Sequence, residues 1–136
     1  MLWQMTWKQE EISGRIAGVG GIEAVVGAMR QHLAVACVQE WGCGALSNLA
    51  ANNADDKVKI AGAGGIEAVV RGMTQHPAAA GVQEWGCGAL WNLGVSAANK
   101  PKINAAGGAQ ALRAAMAAHP SSSNVQTWGK GALGCL

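Results

Sequence analysis

The chain is 136 residues long, enough for one domain, with half of its residues hydrophobic and 13% charged. That balance supports a buried core and excludes a disordered chain, and the charged share is about half that of an ordinary soluble domain. A net charge of +2, with no stripe of Lys and Arg, argues against nucleic acid as a partner.

No run of 18 consecutive apolar residues exists, so the sequence predicts no direct membrane insertion. Lys8, Glu10 and Glu11 interrupt the N-terminus where a secretory signal would be apolar. The four cysteines contain no C-x-x-C pair and read as reduced core residues of a protein in a reducing intracellular compartment, the cytoplasm or nucleus, with an organelle as the alternative.

In chain order, the segments are copies of one unit. Residues 1–15 read as a partial unit, because Leu2, Trp3, Gln4 and Met5 fall where Leu90, Trp91, Asn92 and Leu93 recur later. Residues 16–59 form the first unit, 60–102 the second and 103–136 the third. Ile16 to Leu49 overlies Ile60 to Leu93 at a constant offset of 44, with 26 of 34 positions identical, including GGIEAVV and VQEWGCGAL. The third unit follows at an offset of 43 and keeps 16 of 34 positions. The one-residue change lies in a connection, where NNADDK (52–57) shortens to SAANK (96–100); loops absorb such changes.

Each unit predicts three helical segments. A short first helix, near 56–62, ends on Gly62, Gly64 and Gly65, which are expected to supply positive-φ positions. A second helix, about Ile66 to Gln75, places Ile66, Val69, Val70 and Met73 on one face, with Glu23 or Glu67 in its first turn to complement the dipole. His76-Pro77 breaks it. The third helix starts near Gly81-Val82, and in the last unit Ser121, Ser122, Ser123 and Asn124 offer capping side chains.

A period of 43 to 44 residues lies in the armadillo/HEAT range. The AGGIEAVV entry and the VQE…GALxNL third helix resemble the armadillo repeat family across residues 16–136. The resemblance implies an all-α, right-handed superhelical solenoid of three-helix repeats whose third helices line a concave groove. The chain then opens and closes inside third helices, which implies a fragment of a longer array or a small subunit covered by neighbours at its ends.

The family's groove carries a tryptophan four residues before an asparagine, with an acidic residue one turn earlier. Here Asn48 and Asn92 keep the asparagine, Gly44, Gly88 and Gly131 stand at the tryptophan position, and Trp41, Trp85 and Trp128 stand at the acidic one. The expected partner-binding residues are therefore Trp41, Asn48, Trp85, Asn92 and Trp128: a ladder suited to an extended, not strongly basic peptide. The competing reading has the tryptophans packed between third helices in space the glycines leave. Trp3, Trp7 and Trp91 fall off this ladder, as variable surface or inter-repeat positions.

His32, His76 and His119 recur one per unit, too far apart to share a metal, and read as structural residues at the carbonyl end of the second helix. Gly18-x-Gly20-Gly21 and Gly62-x-Gly64-Gly65 follow helices rather than strands, so they are turn residues and not a phosphate cradle. No nucleophile–base pair or metal set stands out, and neither catalysis nor a cofactor is expected. The expected function is a protein–protein interaction scaffold, with end-to-end contacts to neighbouring subunits or to itself. The alternative is a peptide-binding adaptor.

Overall fold

A computed structural model describes residues 20–52 and 54–136. These residues are 83% helical, with no strand among them. The helices are α1 (Gly21–Gln31), α2 (Ala36–Asn52), α3 (Ala54–Gly62), α4 (Gly65–Gln75), α5 (Ala80–Gly94), α6 (Lys100–Ala105), α7 (Gly108–Ala118) and α8 (Ser123–Cys135). A 3-10 turn, Ala97–Asn99, precedes α6. Three like groups follow one another: α1–α2, α3–α4–α5 and α6–α7–α8. The expected partial unit at 1–15, with Trp3 and Trp7, lies outside the described residues.

Apolar spacing makes each α1-type helix one-sided. Ile22, Val25, Val26 and Met29 are buried on α1, as are the equivalent Ile66, Val69, Val70 and Met73 on α4. On the long helices, Leu46 and Leu49 repeat as Leu90 and Leu93, all fully buried. Ile60 and Ile103 bring the short helices into the same core. Each such burial stabilises by about 1.5–3 kcal/mol. The long helices α2, α5 and α8 pack side by side, and these are the most extensive contacts between elements.

Of the glycines expected at positive φ, only Gly64 adopts it (φ 86°), joined by Gly20 (78°) and Gly107 (86°). Each is the residue before an α1-type helix, where an L side chain would be strained. Gly62 ends α3 in ordinary helical geometry. Gly65 is needed for a different reason: a Cβ there would come 2.3 Å from Ile60 Cγ2 and 2.8 Å from the Ile60 carbonyl oxygen. In α8, Ser122 is the cap, its hydroxyl accepting from Val125 N at 3.2 Å.

One glutamine closes each group. Gln83 Nε2 donates to the Met73 and His76 carbonyls at 2.9 and 2.8 Å. Gln39 does the same to Met29 and His32, and Gln126 to Met116 and His119. The amide bonds the methionine carbonyl where intrahelical partners run out, and joins Val35, Ala79 or Ser122 N on the histidine carbonyl. The histidines do more than sit at the carbonyl end of their helix. His76 Nε2 bonds the Leu33 carbonyl (2.7 Å) and His119 Nε2 the Pro77 carbonyl (2.8 Å), each reaching back to the preceding group.

Replacing Gln83 with alanine strands the Met73 carbonyl beside a buried gap, while the His76 carbonyl keeps its bond from Ala79 N at 3.1 Å. A loss of about 1–3 kcal/mol is expected in a urea unfolding curve, against a few tenths for Gln75→Ala on the exposed surface.

Candidate functional site

The expected site residues lie on the three long helices. Trp41 and Asn48 are on α2, Trp85 and Asn92 on α5, and Trp128 on α8. These helices hold side chains in a row because each approaches its neighbours closely, and glycine permits the approach. Within a group, a Cβ on Gly42 would come 2.4 Å from Met29 Cγ. At Gly86 the corresponding gap to Met73 is 2.5 Å, and at Gly129 to Met116 it is 2.8 Å. Each methionine lies against bare backbone of the long helix.

A second glycine, two positions on, serves the joint between groups. A Cβ on Gly131 would come 2.6–2.7 Å from the indole of Trp91, so that ring lies flat on the Gly131 backbone. At Gly88 the nearest atoms are Ser47 Oγ at 3.4 Å and Trp128 Cε3 at 3.5 Å. Ser47 is the repeat-equivalent of Trp91.

Trp85 and Trp128 meet with ring centroids 6.2 Å apart and planes tilted by 43°, a favourable aromatic geometry. Both are half-buried and packed against the core. With Ser47, Gly88, Trp91 and Asn92 they line a cleft of about 230 Å³. The two sequence readings of these tryptophans thus meet in one place: Trp85 and Trp128 pack between helices and also present ring surface to the cleft. Trp41 stands apart, 40% exposed. Asn48 is half-buried and already engaged, outside the cleft lining.

Asn92 departs from the expected role. Its Nδ2 donates to the Ser47 carbonyl at 3.0 Å and the Ser47 hydroxyl at 3.1 Å, so both hydrogens tie α5 to α2 rather than face a ligand. Trp91 is the residue that sequence reasoning set aside. Its counterparts are Ser47 and Gly134, which makes it look like a variable position. The usable signal was a large ring placed opposite Gly131, where no side chain competes.

The cysteines divide. Cys43 and Cys87 are buried as expected, but Cys37 is exposed and Cys135 half-exposed, so these two are not core residues. Cys37 occupies the solvent-facing first turn of α2. Burial, with Cys87 nearby, pushes the Cys43 thiol up to about 12. Burial, with Glu84 nearby, does the same to Cys87. Thiols held protonated this way are poor nucleophiles. Among the described residues no group of three His, Cys, Asp or Glu side chains could hold a metal, and no helix is long and apolar enough to cross a membrane.

Compared with protein-family models, with curated proteins and with solved structures, the chain finds no match.

Equivalent glycines are expected to respond with opposite sign. Gly88→Ala meets only ordinary contacts and gains about 0.5–1 kcal/mol from helix propensity, raising the melting temperature. Gly131→Ala drives a methyl into the Trp91 ring and costs about 1–3 kcal/mol. The thiols predict an alkaline limit. Unfolded, Cys43 and Cys87 lose their protons near the ordinary 9.0; folded, they hold them to about 12. Stability is therefore intact below pH 9 and falls as pH rises toward 12. Melting temperatures measured upward from pH 8 should drop less steeply in a Cys43→Ala/Cys87→Ala variant.

Proposed function

We propose that the protein is a non-catalytic protein–protein interaction scaffold, built as a right-handed solenoid of armadillo-type repeats and contacting partners through the face of its long helices. The reading is supported by tandem helical groups, two of them with three helices, whose long helices lie side by side and make one extended face. The observation that carries it is the aromatic character of that face: Trp41 is 40% exposed, and Trp85, Trp91 and Trp128 share a cleft. Tryptophan supplies large contact area and is enriched among the residues that dominate binding energy. Part-exposed tryptophans on one face support reading it as a contact surface.

The adaptor reading narrows under the same geometry. Asn92 spends its donors on Ser47, so a bound peptide would be gripped by rings rather than by an asparagine ladder.

Affinity capture from the native source, comparing the wild type with Trp41→Ala, tests the proposal. Trp41 is 40% exposed, so more than half of its ring is covered and its removal is expected to cost about 1–2 kcal/mol; capture is therefore compared at a temperature where melting curves show both proteins folded. A partner recovered by the wild type should fall about tenfold or more in the variant. Equal recovery by both proteins, or none by either, counts against the long-helix face as the contact surface.

A further inference from the structure

One joint of the stack leaves open a space that the next joint fills. Between α5 and α8, the Trp91 indole lies on Gly131, with ring atoms Cε2, Cδ2 and Cζ2 at 2.6–2.7 Å from where a Cβ would stand. One repeat earlier the corresponding pair is Ser47 and Gly88. A serine hydroxyl covers less area than an indole, and Gly88, met only at ordinary contact distance by Ser47 Oγ (3.4 Å) and Trp128 Cε3 (3.5 Å), lines the 230 Å³ cleft beside the Trp128 ring.

We propose that this cleft is a binding site for one flat, neutral aromatic ring of the indole or phenyl class, seated over Gly88 as Trp91 is seated over Gly131. The molecule itself shows which shape fits such a floor. The walls favour the same chemistry, because Trp85, Trp91 and Trp128 offer ring faces and edges to an incoming ring. No charged side chain lines the cleft, so nothing there neutralises a carboxylate or an ammonium group. The polar element is Asn92. Its Nδ2 hydrogens are held by two Ser47 oxygens, which fixes the amide orientation and leaves Oδ1 without a donor among the described residues. That oxygen is placed on a cleft-lining residue and can accept from an indole N–H or a peptide N–H.

The ring could belong to a small molecule or to a partner's side chain. In the second case the site rests on the scaffold reading above and supplies its specificity.

The test uses the full chain, labelled with nitrogen-15, and two probes: indole itself, and the capped peptide acetyl-Gly-Gly-Trp-Gly-Gly-amide. Saturable shifts are expected in the indole N–H signals of Trp85, Trp91 and Trp128 and in the Asn92 amide, with Trp41 unmoved. A peptide at least tenfold tighter than indole assigns the ring to a protein segment; equal or tighter binding of indole assigns it to a free aromatic compound. Ser47→Trp should abolish binding by supplying the missing ring internally. Gly88→Ala, which meets only ordinary contacts, should weaken binding at least tenfold and serves as the test if Ser47→Trp does not fold. Absence of saturation with either probe, or unchanged affinity in a folded Ser47→Trp or Gly88→Ala protein, overturns the proposal. Loss of ring binding with Trp41-dependent capture intact would sink the cleft alone. Ring binding without any captured partner would sink the scaffold alone.

Discussion

The long helices can be approached on two sides at once because each carries two side-chain-free positions. Gly86 takes the methionine of its own group and Gly88 faces the neighbouring group. Glycine in a helix interior costs roughly 1 kcal/mol of propensity relative to alanine. Here the cost is offset by contact: an added Cβ at Gly42, Gly86 or Gly131 would sit well inside van der Waals distance of a methionine or an indole. Dispersion falls away steeply with such gaps, so helices held one methyl further apart would lose contact along their whole length. The glutamine bonds and the histidine bridges both depend on that spacing. Each needs a side chain of fixed reach to find a backbone oxygen on another element.

Fold-level features were legible in the sequence because repetition and punctuation act locally. The helix expected near 56–62 runs Ala54–Gly62, the one from Ile66 runs from Gly65, and the one from Gly81 starts at Ala80. Proline after His76 and glycine at position 64 set those limits through backbone geometry alone. What the sequence hid was lateral. Nothing in the local pattern says that His76 bonds the carbonyl of Leu33, forty-three positions earlier, or that Asn92 turns its amide to Ser47 rather than outward.

The candidate site shows the same division. The recurrence of Trp41, Trp85 and Trp128 points to the long helices, yet Trp41 stays outside the cleft while Trp91 enters it. Periodicity ranks positions that recur. The cleft is made by one that does not: tryptophan at 91, serine at 47 and glycine at 134 perform different tasks at equivalent places. Cys37 is a further instance, since its exposure depends on where it falls on the first turn of α2 and not on its residue type.

A stack of identical units would look the same from every joint, and a ligand meeting it could bind in any register along its length. Ser47 removes that freedom. By meeting Gly88 with a hydroxyl while Trp91 covers Gly131 with a ring, it gives a nearly periodic stack a marked position, much as a missing tooth indexes a gear. Tandem duplication supplies the length of such a protein. A single serine-for-tryptophan difference gives it an address.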